Sequence, residues 1–336
     1  MYRKLITLLV FAVAATFCLT IFAQTGSAKK MDQQSIADSV KKAAEKNARK
    51  QTYQLAYNLL KGEEIHSTVE HVAETKTQIA GHTVESTSRS ETTRKWRVIN
   101  VDSLGNMTFV GSIVAVDMWS RFDDEEPEVY NSRKPAEEIP QQYRVTADTV
   151  GKTQFVLTIA PNGEILDRKS NLPSGDFSVG DITIPLPKQP IAKGYVWNVP
   201  TVLNANEGEK EVKVKAQVRY ELEKVKGNTA YISFKTQIIS QMSEKVKSTV
   251  MQKMTRGHIA FNMKYGRPTL KVVEWNEKVQ GFEGSDSYLR LVGRATEKVT
   301  PPKLTPTGSR LAPVRSNVAA KPSEIKPREG GPILRK

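Results

Sequence analysis

A single cysteine, Cys18, occurs in 336 residues. It lies inside an N-terminal apolar run, and removal of that run leaves no thiol, which excludes disulfides, thiolate metal sites and cysteine catalysis from the rest of the chain. Histidine is almost as scarce, with His66, His71, His82 and His258. His66 and His71 stand five apart on an expected strand, so they point to opposite faces and cannot share an ion without a bulge. There is no Gly-x-Ser-x-Gly elbow, no His-Glu-x-x-His helix and no phosphate-cradling glycine loop. The acidic pairs Glu63-Glu64, Asp123-Asp124-Glu125-Glu126 and Glu137-Glu138 are adjacent in sequence. Glycoside cleavage needs two carboxyls from different strands facing one cleft, and Arg121–Glu126 lacks the ligand spacing of a calcium loop. Aromatic residues amount to 7% and are not interleaved with lysine and arginine as in a single-strand-binding groove. The expectation is a non-catalytic protein with no metal, no cofactor and no specific nucleic-acid partner.

What is present begins at the N-terminus. Arg3-Lys4, an apolar run from Leu5 to Ala23 and the small residues Gly26-Ser27-Ala28 form a secretory signal over residues 1–28. The run is also long enough to span a bilayer if it is not cleaved. Acylation at Cys18 is opposed by Phe17, which precedes it where a small residue is wanted. Each outcome puts the body in an extracytoplasmic space, periplasmic or secreted, with or without an N-terminal anchor.

The net charge is +14, and its distribution matters more than its size. Met1–Ala28 carries +2, Lys29–Lys50 carries +4 from seven basic and three acidic residues, and Thr300–Lys336 carries +6 from eight basic and two acidic, leaving +2 for Gln51–Val299. A near-neutral body with basic flanks reads as a tether to an anionic envelope surface or polymer rather than a reader of nucleic acid. Residues 29–50 place Ile36, Val40, Ala43 and Ala44 at helical spacing among charges, a short solvated helix. The tail 300–336 holds seven prolines without apolar periodicity and is expected to be disordered.

From Gln51 the period changes to two. Tyr53, Leu55, Tyr57 and Leu59 alternate with polar or small residues and mark a first strand, closed by the turn Lys61-Gly62. Glu64–Gln78, Thr83–Val101 and the segment after Asn106 read as long strands of an antiparallel meander. In the last of these, Met107, Phe109, Gly111, Ile113 and Ala115 share one face. Val84–Thr93 is polar on both faces, which suits a strand projecting into water at a sheet edge or, alternatively, one wall of a wet cavity.

An internal duplication runs through the body, residues 51–299. Lys95–Val101 with Gly105-Asn106 and Thr108-Phe109-Val110 is echoed by Arg219–Val225 with Gly227-Asn228 and Ala230-Tyr231-Ile232. Phe155–Leu166, with Asn162-Gly163, is echoed by Ile259–Arg267 with Leu270 beyond. Asn-Gly between alternating apolar runs is a hairpin signal. The halves are about 51–170 and 201–299. Residues 171–200 between them hold Pro185, Pro187, Pro190 and Pro200 and form a crossover, because proline removes a ladder donor from a central strand. Trp197 is expected to anchor that crossover onto the core.

Several stretches carry a resemblance: Tyr57–Glu63, Val114–Trp119, Tyr130-Asn131-Ser132, Ile159–Leu166, Pro185-Leu186-Pro187 with Gly194-Tyr195-Val196-Trp197, Phe261-Asn262-Met263 with Gly266-Arg267, and Val279–Gly284. Over about residues 51–299 the chain resembles an uncharacterised family of exported bacterial proteins of the planctomycete type. The resemblance implies export and a repeated β body, and it brings no catalytic residue. The family's Gly-Asp-x-Trp is Gly194-Tyr195-Val196-Trp197 here.

The fold expected is all-β with a short N-terminal helix: two similar antiparallel meander halves forming a curved sheet, half-barrel or incomplete barrel. In outline it is similar to the lipoprotein-carrier type of periplasmic half-barrel. Trp96, Val98, Phe109, Ile113, Tyr220, Leu222, Tyr231 and Phe261 are the candidate residues of a concave face, able to hold a lipid or other hydrophobic ligand or to form a plain core. Two functions follow: a cell-envelope structural or interaction protein tethered by its basic tail, or a carrier of a lipid in the concave face.

Overall fold

Alternation of apolar and polar residues over ten to twenty positions is satisfied only when the chain pairs into a sheet with one face buried. The computed structural model describes residues 51–135, 139–170, 183–207 and 210–301. The leader, the 29–50 spacer, part of the crossover and the tail beyond 301 lie outside the described residues. The strands are β1 (Thr52–Tyr53), β2 (Glu64–Ile79), β3 (His82–Val101), β4 (Met107–Phe122), β5 (Glu128–Asn131), β6 (Thr153–Ile159) and β7 (Ile165–Ser170) in the first half. After the crossover come β8 (Ile191–Ala192), β9 (Val196–Glu207), β10 (Lys210–Lys226), β11 (Thr229–Ile238), β12 (Arg256–Asn262), β13 (Arg267–Gln280) and β14 (Tyr288–Val299).

In space the order is β7-β6-β4-β3-β2-β14-β13-β12-β11-β10-β9, with β5 added to β4. Every neighbouring pair in this sheet is antiparallel. The two meanders are therefore joined through the first and last long strands, from Ser67 opposite Val299 to Gln78 opposite Tyr288. The free edges are β7 and β9. Pro200 lies in β9 opposite Gln217, where an edge strand tolerates a missing donor. Local chemistry fixes the hairpins: Ala80 and Gly81 both take positive φ between β2 and β3, the geometry of a two-residue turn matched to strand twist.

The halves repeat in layout. The hairpins β3–β4 and β10–β11 correspond, as do β6–β7 and β12–β13. Each half also inserts a short helix at the same place, Arg144–Thr149 between β4 and β6 and Glu244–Val250 between β11 and β12. The Ser243 hydroxyl caps the second by accepting from the Val246 amide at 3.2 Å.

The sheet is strongly curved at one end, here termed the core end. The Tyr57 amide donates to the Pro161 carbonyl at 2.7 Å, and the next amide, Asn58, donates to the Gly266 carbonyl at 3.2 Å. These carbonyls belong to the β6–β7 and β12–β13 turns, whose nearer arms are five strand steps apart. In a flat sheet that is about 24 Å. The concave face at this end buries Trp96, Phe109 and Leu157 of the first half with Tyr220, Ile232 and Phe261 of the second in one core. Two extended segments lie inside the curve, one carrying Leu55, Tyr57 and Leu59 and the other Ile184, Leu186 and Ile191, all buried.

Three expectations change here. The expected strand at 51–59 pairs only through Thr52 and Tyr53, with β8. Its alternation persists because the segment fills the curve and buries every second side chain. Val84–Thr93 is not at an edge, since β3 lies between β2 and β4. Finally, the register of β3 against β4 shifts between Thr93 and Arg94. Val114 is the extra residue, and Val116 and Met118, rather than Ala115, continue the face of Phe109 and Ile113.

Candidate functional site

The eight residues named for the concave face fall into three groups. Trp96, Val98, Phe109, Tyr220, Leu222 and Phe261 come together in the core, from 0% exposed at Leu222 and Phe261 to 7% at Tyr220. Their packing is aromatic and specific: Trp96 meets Phe109 at 5.3 Å and Phe155 at 4.7 Å. Gly111 makes room for Phe155, whose ring would lie 2.0 Å from a Cβ there. Ile113 shares the concave face but packs farther out, against Val116, Met118, Tyr130 and Tyr143. Tyr231 is on the opposite, convex face, where Lys224 lies over its ring at 5.0 Å. By sequence it matches Phe109, but both hairpins carry a bulge at the equivalent place, after Val98 and after Leu222, and the turn between Val225 and Ala230 is one residue shorter than that between Val101 and Met107. That difference turns a side chain to the other face, and Ile232 takes the place of Phe109.

Among the described residues the core end is filled. Its cavity is ≈ 20 Å³, lined by Tyr57, Leu59, Trp96, Phe109, Ile159 and Arg267 among others. That is the space of about one water, and an acyl chain does not fit. Of the polar groups that the filling buries, the Trp96 Nε1–H and the Thr183 hydroxyl have no hydrogen-bond partner among the described residues, whereas two others are held. The Tyr57 hydroxyl accepts from the Ile184 amide at 2.7 Å, and burial pushes its phenol pKa far up despite that bond. Arg267 and Glu63, both almost wholly buried, form an ion pair at 3.0 Å. Trp197 stacks on Tyr220 at 5.3 Å and donates Nε1–H to the Pro185 carbonyl at 2.9 Å. It fastens the crossover to the core.

Away from the core end the concave face becomes hydroxyl-rich. Cross-strand register puts Ser67, Thr75 and Thr77 of β2 beside Ser86, Ser88, Ser90 and Thr92 of β3 on that face. The Ser67 hydroxyl donates to Glu297 at 2.8 Å. His71 faces Ser90 across the ladder and meets the Trp275 ring edge-on at 5.6 Å. Burial lowers the His71 pKa. No hydrogen bond joins His71 to Ser90 among the described residues, so the pair does not form a nucleophile–base relay. Nor do any three His, Asp or Glu residues among those described form a metal-binding group.

The convex face carries charges in rows that only register reveals. One row runs Trp119, Arg89, Val72, Arg294, Glu274, Arg256, Lys235, Arg219, Asn198 across nine strands. The next row toward the core end begins Asp117, Glu91, Glu70. Two rows toward the far end, Lys76, Arg290 and Lys278 stand side by side. Like charges directly opposite one another destabilise a sheet by a few tenths to about 1 kcal/mol per pair. Some are offset by ion pairs, Lys298–Glu70 at 2.9 Å, Arg219–Glu221 at 2.9 Å and Arg256–Glu274 at 3.9 Å.

Residues 177–266, the second part of the crossover and strands β8 to β12, match a family of unknown function, DUF6263. No curated protein matches the chain. A solved structure describing lipid–protein interactions in lipovitellin is similar over 76% of this chain and 27% of its own, at 10% identity and a TM-score of 0.45. The chain thus spans about a quarter of that protein's length. A DUF1329 family protein from Desulfovibrio piger is similar over 82% of this chain and 94% of its own, at 9% identity and a TM-score of 0.13. Likenesses this distant carry neither fold nor function to this chain.

Proposed function

We propose that the protein is a non-catalytic, extracytoplasmic interaction protein of the cell envelope, held at an anionic surface by its basic C-terminal flank. The observation that supports this reading most directly is the partition of charge: +2 over Gln51–Val299 against +6 over Thr300–Lys336. Within the body many charges are matched, across strands in Lys95–Glu64 and Lys298–Glu70 and between helix and loop in Lys245–Glu283. A concentration of like charge on a chain end acts on a surface through long-range attraction, roughly 1 kcal/mol for each basic residue near an anionic membrane, and is screened by salt. The last described backbone bond before the flank, from the Thr300 amide to the His66 carbonyl at 2.8 Å, places its origin at the central seam of the sheet.

The test is co-sedimentation of the full chain, and of the chain ending at residue 301, with vesicles containing anionic phospholipid across a salt series. Salt-sensitive binding that the truncation abolishes is the expected result. Equal retention of the truncated chain overturns the reading. Carriage of a lipid in the concave face is the weaker alternative, because the core end leaves ≈ 20 Å³ where an acyl chain needs several hundred.

A further inference from the structure

We infer that the convex face of the second half carries a polyanion-binding strip, Arg219, Lys235 and Arg256 with Arg294 beyond them, that takes a flexible linear polymer bearing phosphate or sulfate groups. The strip is distinct from the basic tail, and its support is geometric. Arg219 stands directly opposite Lys235, and Lys235 directly opposite Arg256, on three consecutive strands. Antiparallel spacing therefore sets three cations in line at about 4.8 Å intervals. Lys235, Arg256 and Arg294 are exposed and Arg219 is partly so.

Such an array is unfavourable in the free protein, since Lys235 has a like charge directly opposite it on each side. Ion pairs relieve it only at its ends. Glu221 pairs with Arg219 along the strand, and Glu274 pairs with Arg256 and separates it from Arg294. Glu277, farther along β13, also lies in the field of Arg256 and Lys235. None of these carboxylates stands between Arg219, Lys235 and Arg256. Lys235 has like-charged residues on both sides and no ion pair among the described residues. A string of anions along the strip converts that repulsion into paired contacts, with the guanidinium groups offering bidentate geometry to phosphate or sulfate.

Shape selects the form of the ligand. The row runs across the strands, the direction in which the sheet bends, so its cations follow a convex arc. A flexible polymer follows an arc, whereas a flat lipid surface meets it at one point. The other half sets a boundary. There the neighbouring row presents Asp117, Glu91 and Glu70 side by side, which repels the same polymer and confines it to β10–β14.

The experiment uses full-length protein and long-chain inorganic polyphosphate as the probe, read by lysine acetylation and by the salt dependence of affinity. Polyphosphate is expected to protect Lys235 several-fold. Replacing the strip through Arg219→Gln, Lys235→Gln and Arg256→Gln in the full chain should lower the slope of log Kd against log salt by about 2, from three contacts at about 0.7 each. Thermal stability should stay level or rise, because repulsion is removed. A combination of weaker binding and undiminished Tm separates a binding role from structural damage. The tail reports separately through Lys303, Lys321 and Lys326, so protection of these with Lys235 unprotected overturns the strip while leaving the tail reading intact. Lys235 protected by anionic vesicles but not by polyphosphate, or an unchanged salt slope in the triple variant, also overturns it.

Discussion

The two halves of the sheet agree on the inside and differ on the outside. Inside, each contributes a hairpin whose aromatic faces the core, Trp96 in one and Tyr220 in the other, and each sends a glycine turn to clasp the same dipeptide, Pro161 bonding Tyr57 and Gly266 bonding Asn58. Outside, the first half sets three carboxylates in a row and the second sets three cations in a row. A core tolerates little change because volume must be conserved at each position, whereas a solvated face is free to take charges of either sign. The halves thus share what closes the curve and diverge in what they offer to partners.

The largest expected effect breaks the shared part in both halves equally. Gly163 and Gly266 both take positive φ, and a Cβ at either would come within 2.3 Å of backbone, the Ile184 oxygen or the Asn58 nitrogen. Gly163→Ala and Gly266→Ala should each cost about 3 kcal/mol or more in urea denaturation, whereas Gly227→Ala, with positive φ but open space, should cost about 1 kcal/mol. Trp96→Ala should lose about 3–5 kcal/mol, and Tyr231→Ala, on the convex face, under about 1 kcal/mol; equal losses would contradict the one-residue shift between the hairpins. Tyr57→Phe leaves the Ile184 amide unpartnered in the interior, and the expected cost is about 1–3 kcal/mol by the same measurement.

Smaller effects sharpen the outer contrast. Lys235→Gln and Glu91→Gln each remove the middle member of a like-charged triplet, and each should stabilise by about 0.5 kcal/mol, a gain that fades as salt is raised. The last is a slope rather than a step. His71 is held below its ordinary pKa by burial, so below about pH 6.5 the unfolded chain binds the proton more readily than the folded one. Its contribution is fully present above that pH and is lost as pH falls further. A urea midpoint that declines between pH 7.5 and 5.5 less steeply in His71→Gln than in the parent is the expected outcome.

The β class, the hairpin turns and the paired halves were legible because they rest on local signals: period-two burial, and glycine or asparagine where the turn needs positive φ. What escaped depends on register. Tyr231 and Phe109 occupy matching places in the sequence, yet a turn shorter by one residue puts them on opposite faces. Leu55, Tyr57 and Leu59 alternate as a strand does, but their alternation reflects an extended segment enclosed by the curve. The hydroxyls of Val84–Thr93 suggested an edge because nothing local shows that β2 and β4 both run on beside that part of β3. The charge rows are the extreme case, since Arg219, Lys235 and Arg256 are far apart in sequence and adjacent only once three strands have paired.

Pairing of the first long strand with the last has a consequence in time. About 210 residues separate the end of β2 from the start of β14, so at the usual 5–20 residues per second of synthesis β2 waits on the order of 10–40 s for its partner. An unpaired strand held that long is an invitation to the wrong neighbour. The side of β2 that never enters the core carries Glu64, Glu70, Glu74 and Lys76, charges that discourage such pairing until the C-terminal strand arrives and welds the seam.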